Sequence, residues 1–478
     1  AGLFSSLKKG YNFIIIYAFF RIGETMTVRV YNTISKSVET FEPIRDNQVN
    51  LFVCGPTVYD YSHLGHAKTY TQFDFIVKYL RWRGYQVFYL QNITDLDDKI
   101  IRRAQEKGVS WQALAREYEQ AYQEDMQALH NTAVNRFARA TDYIPQIIAQ
   151  VQVLLDKGYA YPISDGIYFE IARFPDYGKL SGRTDVGAED AVSRIDESPD
   201  KRGWNDFCLW KASKPGEPTW DSPFGPGRPG WHIEDTAITE TFFGPQYDVH
   251  GGAIDLIFPH HEAEIAQMES ASGKKPLVRY WLHTGFLNIN AMKMSKSLGN
   301  FKTIRDVLAT YDYRTLRYFF ISSHYRATIE FNEAVLEQAR NSIKRIDEFV
   351  FNIDPDYDDV EAEGDVMDLK NRVIEALDED FNTPRAIAAI FDFIRNQNAR
   401  GKSGRRVYQL FRDLNQFLEF MNFASDSLEA EVQALIDQRQ AFRAQKDFKK
   451  ADEIRDRLAG MGIQLYDTKE GVRWRKVA

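Results

Sequence analysis

Cysteine is almost absent from this chain, with two among 478 residues, Cys54 and Cys208. A disulfide framework is thereby excluded as a source of stability, and a reducing compartment, the cytoplasm, is the expectation. Membrane-length apolar runs are missing as well. The apolar stretch Tyr11–Phe20, behind Lys8 and Lys9, mimics a signal peptide but is far short of a bilayer span. No Ala-x-Ala-like site follows it, and the first strand pattern begins just after Met26. Residues 1–25 are therefore read as an extension outside the fold. An excess of positive charge is also lacking, since 60 Lys and Arg face 68 Asp and Glu. A net charge of −8 repels polyanions and argues against generic RNA binding, leaving such contact to local basic faces. Repeats and low-complexity tracts are absent too.

What is present is a chain that is 44% hydrophobic and 14% aromatic, enough for a large core spread over two to four domains. Its organising stretch runs from Phe52 to Lys68. Val49, Leu51 and Val53 form a buried-strand pattern that breaks at Gly55-Pro56. A polar loop then reaches His63-Leu64-Gly65-His66, where a helical pattern begins. A strand, a turn and a helix N-terminus form a place where backbone N–H groups meet phosphate. Cys54 sits at the strand's end, where open α/β sheets bind ligands.

The remainder reads as completing that corner. A second strand over 86–90 delivers Gln91–Lys99 to the same sheet edge, and helices are expected over 96–130 and 143–157. Residues 159–225 change to short strands and Gly/Pro turns, an insertion between the halves of a doubly wound sheet. The second half opens with a strand over 246–252, and its helix begins near Pro259-His260-His261-Glu262 and runs to Met268. Another apolar run, Tyr280–Leu287, leads to Lys293-Met-Ser-Lys296-Ser. From 311 to about 425 the pattern is helical throughout. The seven carboxylates of 354–365 read as a solvated loop between helices. A helical hairpin and two short strands close the chain.

Two histidines near a glycine are a weak signal alone. Lys293-Met-Ser-Lys296-Ser is sharper, because two ammonium groups and two hydroxyls in one loop can stabilise charge on a triphosphate as its α-phosphate is attacked. His260 and Glu264 stand four apart on the expected helix, so both face one side and can share a metal ion.

Together, the His63–His66 and Lys293–Ser297 signatures resemble those of class I aminoacyl-tRNA synthetases. The text around them is similar to the cysteinyl-tRNA synthetase family, in Val53–Asp60, Asn92–Asp98, Gly230–Glu234, His250–Gly252 and Asp255–Glu262. The resemblance spans 27–478. It implies an α/β fold with a Rossmann-type doubly wound parallel sheet over 26–310, interrupted by a connective insertion at about 135–225. An all-α bundle over 311–425 and a small mixed anticodon-binding domain over 426–478 follow. The implied activity is ATP-dependent formation of cysteinyl-adenylate and transfer to the terminal adenosine of tRNA(Cys). Implied partners are tRNA(Cys), L-cysteine and ATP with Mg2+, with no membrane and a monomeric chain.

The resemblance further implies one Zn2+ held by Cys54, Asp235, His260 and Glu264, gripping the substrate thiol. Position 235 departs from the family pattern, which has a second cysteine there. Asp235 is either an oxygen ligand or a salt-bridging neighbour. Cys208 is a tempting substitute, but its apolar neighbours favour a buried structural thiol. His63, Gly65, His66 and Lys296 are implied to bind ATP, with His63, His66, Lys293 and Lys296 as the catalytic set. Gly55, Thr57, Thr94, Trp231 and His250 are implied to line the cysteine pocket, with His232 and His261 in its wall. In the tail, residues 439–478 carry eleven Lys/Arg against six Asp/Glu. Phe442, Phe448, Tyr466 and Trp474 interleave with them, as suits splayed bases. Two rivals remain: a cysteine-activating ligase acting on an amino-sugar, which would lack such a tail, and a non-catalytic RNA-binding paralogue.

Overall fold

The computed structural model describes residues 27–183, 198–289, 292–293, 301–423, 430–468 and 471–476. The extension 1–25 and Lys296 lie outside the described residues.

The first pair, Arg29–Asn32 (β1) and Ser37–Thr40 (β2), is an antiparallel ribbon beside the main sheet. Gln48–Val53 (β3) is the central strand, followed by Leu64–Trp82 (α1) and Gln86–Ile93 (β4). The expected helix over 96–130 is two helices, Asp98–Lys107 (α2) and Trp111–Ala128 (α3). They break at Gly108–Ser110, where Ser110 Oγ caps α3 by accepting from Ala113 N. Arg136–Arg139 (β5) then joins the main sheet and Ile144–Asp156 (α4) packs below it.

The insertion's own sheet is antiparallel: Ala160–Ile163 (β6), Gly166–Phe169 (β7), Phe207–Ala212 (β8) and Gly227–Pro229 (β9). It thus begins later than the expected 135, because β5 pairs with β4, a partner 46 residues away that no local pattern displays. Trp231–Phe243 (α5), Tyr247–Ala253 (β10), Glu262–Ser272 (α6) and Val278–Thr284 (β11) make the second half.

The main sheet has the order β11-β10-β3-β4-β5 and is parallel throughout. Strand order reverses between β3 and β10, so their carboxyl ends form the crevice where such sheets take ligands. Burial on both faces explains the unbroken apolar run Leu51, Phe52, Val53 in β3.

Leu287–Ile289 (β12) and Met292–Lys293 (β13) follow, then Ile304–Leu308 (α7) and Tyr313–Ile321 (α8). The 311–425 region is not helical throughout: Ile329–Phe331 (β14) pairs in parallel with β12. Three residues are too few for an alternating pattern, and the pairing is long-range. Helices Glu333–Asn352 (α9), Glu363–Asp378 (α10), Thr383–Arg400 (α11) and Arg405–Leu418 (α12) complete the bundle. The acidic loop is not wholly solvated either. Asp359 is buried and accepts from Gly404 N and Arg406 N, both at 2.8 Å, pinning the start of α12.

A buried ion-pair knot ties bundle to sheet domain. Arg317 on α8, fully buried, meets Asp74 on α1 at 2.8 Å and the Leu418 carbonyl at 2.7 Å. Ala430–Ala444 (α13), Phe448–Gly460 (α14), Ile463–Thr468 (β15) and Gly471–Lys476 (β16) form a separate small core around Leu435, Leu458 and Leu465. Among the described residues, no helix is long and apolar enough to cross a membrane.

Candidate active site

Cys54 leaves β3 at the reversal point, its N–H donating to the Gly251 carbonyl of β10 at 3.1 Å. The next residue has to be glycine. A Cβ at position 55 would stand 1.7 Å from the Asn92 carbonyl oxygen of β4, inside any tolerable contact. That close approach presses the loop onto β4 and leaves the Cys54 thiol facing the crevice.

Around this thiol the second half of the sheet domain assembles a cup of buried donors. Asp235 lies one turn into α5; its Oδ2 is 3.3 Å from Cys54 Sγ and 3.1 Å from His260 Nε2. Glu264, in the first turn of α6, places Oε1 3.2 Å from His260 Nε2 and 3.9 Å from Cys54 Sγ. The helix starts at Glu262, inside the expected stretch 259–262, and a π-type turn over Ile257–His261 stands in front of it. His260 and Glu264 still share one side.

Cys54, Asp235, His260 and Glu264 offer ligand atoms all within 4.8 Å of one another. Cys54 and Glu264 belong equally to a second such tetrad with His250 and His261. Those two histidines were expected only as pocket wall.

Each imidazole of the cup turns Nε2 inward, and its Nδ1 is held from behind. His250 is held by the Tyr247 hydroxyl at 2.6 Å and His260 by His232 at 2.7 Å. His261 is held by His283 at 2.8 Å, itself 2.7 Å from Thr33 Oγ1. Such outer partners fix the orientation of metal-binding histidines. Asn92 does the same for the carboxylate: its Nδ2 donates to Asp235 Oδ1 at 2.6 Å, while its Oδ1 receives the Gly55 N–H.

The electrostatics of the cup are those of a site short of positive charge. Burial, reinforced by the Asp235 and Glu264 carboxylates, pushes the Cys54 thiol pKa well up. Burial and then Asp235 push Glu264 well up. Burial holds His232, His250 and His261 far below their ordinary value and brings His283 to about 3. A divalent cation reverses this, because thiolate, carboxylates and neutral imidazole are the forms it binds. The spacing fits as well. Donors bound tetrahedrally at about 2.0–2.3 Å stand roughly 3.3–3.8 Å apart; here Asp235–His260, His260–Glu264, Cys54–Asp235 and Cys54–Glu264 span 3.1–3.9 Å, and all four donors lie within 4.8 Å of one another.

The pocket residues gather nearby. Thr57 and Thr94 form a bridge between the two loops leaving β3 and β4, and Asn92 Nδ2 also reaches Thr94 Oγ1 at 3.3 Å. Trp231, 43% exposed, lies flat on His260 with ring centres 4.2 Å apart. Its packing partner is thus itself a cup residue. Cys208 is elsewhere, buried against Tyr161 and Tyr168 in the insertion, and belongs to neither tetrad. Asp95 and Asp98 are structural: Asp95 accepts from Thr141, and Asp98 from Lys211 and Arg228.

On the other side of Cys54, His63 caps α1. Its Nδ1 accepts from Gly65 N at 3.1 Å and His66 N at 3.3 Å, and the two rings stack 3.8 Å apart. The chain following the lysine motif comes back to this point. Leu64 N donates to the Lys302 carbonyl at 3.2 Å, and Phe301 stands edge-on to His63 at 5.5 Å. Segments some 230 residues apart in sequence therefore meet at one helix end. The backbone of Lys293 lies in β13, paired with Asn288.

In the tail the aromatic set divides. Tyr466 packs on Phe351 of α9 at 4.6 Å and Trp474 covers the small core, while Phe448 is 58% exposed. Part of the positive charge is also spent, since Arg439 and Arg443 both pair with Asp467.

Sequence reasoning missed Asn92, Tyr247 and His283 as organisers of the cup. Asn92 carried a signal, being a buried amide at the end of an apolar strand; Tyr247 and His283 act only through tertiary neighbours.

Residues 40–341 match the family model of the tRNA synthetase class I (C) catalytic domain. Residues 372–442 match the DALR domain, and 425–475 the cysteinyl-tRNA ligase anticodon binding domain. A cysteine–tRNA ligase of Thermoplasma acidophilum is 44% identical over 454 residues, covering 94% of this chain and all of that one. One from Thermococcus onnurineus is 42% identical, covering 95% of this chain and all of that one. Among solved structures, methionyl-tRNA synthetase of Mycobacterium tuberculosis with methionyl-adenylate shares the fold at TM-score 0.57 and 17% identity, over 78% of this chain and 88% of that one. The LeuRS of a ternary complex from Agrobacterium radiobacter K84 does so at 0.59 and 11%, over 80% and 85%.

Proposed function

The chain belongs to the cysteinyl-tRNA synthetases, class I ligases that couple cysteine to tRNA at the expense of ATP, and from that membership we propose how its residues divide the work. Cys54, Asp235, His260 and Glu264 hold one zinc ion. Gly55, Thr57, Thr94, Trp231 and His250 shape the space for L-cysteine beside it. When bound, the ion supplies a Lewis acid that takes the substrate thiol as thiolate, a test that serine's hydroxyl meets poorly. Asp235 is an oxygen ligand here and keeps the ligand charge at −3. The observation that carries this reading is the convergence of those four donors at the sheet's reversal point, on the residue that precedes the nucleotide loop.

His63, Gly65 and His66 receive ATP with Mg2+ at the start of α1, and Lys293 and Lys296 supply positive charge to its phosphates. A carboxylate oxygen of cysteine attacks the α-phosphorus and pyrophosphate leaves. His63, His66 and Lys296 stabilise the charge that gathers on the phosphate oxygens, so positioning and electrostatics carry the rate. A ribose hydroxyl of the terminal adenosine of tRNA(Cys) then attacks the carbonyl carbon, and AMP leaves.

We assign 26–310 to this chemistry, 311–425 to a tRNA-binding bundle and 426–478 to anticodon contact. We place the enzyme in the cytoplasm as a monomer; both thiols are free and buried, as a reducing compartment allows. Cysteine-dependent ATP–pyrophosphate exchange, followed by charging of total tRNA, tests the whole. Exchange without charging would point to an amino-sugar ligase, and absence of both to a paralogue without catalysis.

A further inference from the structure

Lys68 is a lysine in a place lysines avoid. It lies on α1, two residues past His66, and is 1% exposed. Among the described residues no carboxylate comes within ion-pair distance of it, and burial alone brings its pKa down to about 7. Burying an ammonium without a counter-ion costs several kcal/mol, and methionine would fill the same volume without that cost. The three N–H bonds, however, are all used, and on three separate segments. Nζ donates to Gln72 Oε1 on its own helix at 3.0 Å and to the Gly285 carbonyl at 2.8 Å. The third goes to the Tyr325 carbonyl at 3.2 Å.

These acceptors are not arbitrary pieces of backbone. Gly285 is the turn between β11 and β12, and β12 pairs with β13, which carries Lys293. Tyr325 lies just before β14, the other neighbour of β12. The Gly285 N–H donates to the same Tyr325 carbonyl at 2.9 Å, and a Cβ at 285 would stand 2.4 Å from the Ala327 carbonyl oxygen. The turn is thus pressed onto the 325–327 loop with Lys68 as its rivet. Next to the amine, Thr69 Oγ1 meets Thr284 Oγ1 at 2.8 Å and Gln72 Nε2 donates to the Phe320 carbonyl at 3.0 Å. The same face of α1 therefore grips the turn that leads into β12, the loop before β14 and the end of α8.

We infer that Lys68 is a positioning residue for adenylate formation: its buried ammonium sets the register between the helix headed by His63 and His66 and the hairpin that carries Lys293. It touches no substrate. It fixes the relative placement of the two groups of residues that meet ATP, so this inference rests on the reading of those groups given above. An ammonium suits the task because it has three donors for three acceptors. A neutral amine has two, so one carbonyl is released when the proton leaves.

The groups facing Nζ are few: Gln72 from α1, Thr284 and Gly285 from the turn, Tyr325 from its loop. Asp380, the carboxylate that Tyr325 brings with it, is engaged by the Tyr325 hydroxyl at 2.8 Å and by Arg326 and His324. The proton on Lys68 can therefore be manipulated from Gln72.

Cysteine-dependent pyrophosphate exchange is measured from pH 6 to 9 for wild type, Lys68→Met and Gln72→Glu. Lys68→Met is expected to lower kcat about tenfold or more with unchanged cysteine affinity and bound metal, and to lose the part of the alkaline fall due to Lys68. Gln72→Glu places a carboxylate beside the amine and is expected to move that fall upward by one pH unit or more. A packing role alone would shift neither limb. The inference is overturned by folded Lys68→Met within twofold of wild type, or by a pH profile that Gln72→Glu leaves in place. Should Lys68→Met fail to fold, the Gln72→Glu profile decides alone. Absence of exchange in wild type would instead remove the functional reading beneath it.

Discussion

The side chains of Asn92 and Asp235 are joined by a 2.6 Å hydrogen bond that reaches from β4 to α5 across the wall of the cup. Through it Asp235 presents its second oxygen to Cys54 and His260. Where a cysteine would point its sulfur unaided, a carboxylate needs a donor to fix which oxygen faces inward. Asn92→Ala is therefore expected to weaken zinc binding about 10- to 100-fold, the usual cost of losing an outer partner. Asp235→Ala should lose the ion outright on dialysis, whereas Asp235→Cys should keep it. Chelator competition with metal analysis reads all three. Equal stoichiometric zinc in wild type and Asp235→Ala would remove Asp235 from the ligand set.

Gly55→Ala probes the same wall from the other side. Its methyl group cannot coexist with the Asn92 carbonyl, so the loop carrying Cys54 has to move off β4. A shift there is expected to cost about 3 kcal/mol or more, since the neighbouring atom is backbone and cannot swing away. Chemical denaturation would show the loss, and the zinc content of the surviving folded fraction should fall with it. A variant with native stability and native zinc would mean the loop tolerates displacement.

How much of this was legible beforehand depends on the range of the interaction. Cys54, His63 and His66 could be placed because a strand, a break and a helix start lie within one local stretch of chain. His260 and Glu264 could be paired because helical spacing fixes which side chains share a face. The split at Gly108–Ser110 is made by local signals, a left-handed glycine stop and a serine cap, whereas the strand β14 and the burial of Asp359 depend on partners far along the chain. So does the second tetrad, which needs β10, α6 and β3 brought to one point before His250 and His261 can face Cys54. Asp235 came into view only through family resemblance, since nothing in its local sequence points to a metal.

The buried histidines give the protein a defined acid limit. His283 titrates near 6.5 in the unfolded chain but is held to about 3 when folded, and His232, His250 and His261 shift the same way. Between those values the unfolded state binds more protons, so stability falls as pH drops below about 6.5. Each such histidine contributes up to about 1.4 kcal/mol per pH unit across its window. His283→Gln, which keeps a polar partner for Thr33 and His261, should flatten the slope of unfolding free energy between pH 6.5 and 4 by up to that amount. A slope identical to that of wild type would mean that His283 is already charged in the folded protein.

Lys296→Ala separates the two halves of the proposed site most cleanly. The cup around Cys54 and the nucleotide corner at His63 share the loop 55–62 but no donor atoms, so removing a cation from one should leave the other intact. Cysteine-dependent pyrophosphate exchange is expected to drop about 100- to 1,000-fold, the scale seen when one group stabilising developing charge is deleted. Cysteine affinity and zinc content should stay as in wild type, because nothing on the thiol side has changed. His63→Ala should repeat the pattern with an added loss of stability, about 1 kcal/mol, since His63 also caps α1 through Gly65 N and His66 N. Exchange that survives Lys296→Ala would take that lysine out of the chemistry, whereas a parallel loss of cysteine binding would show the two halves to be coupled through the loop.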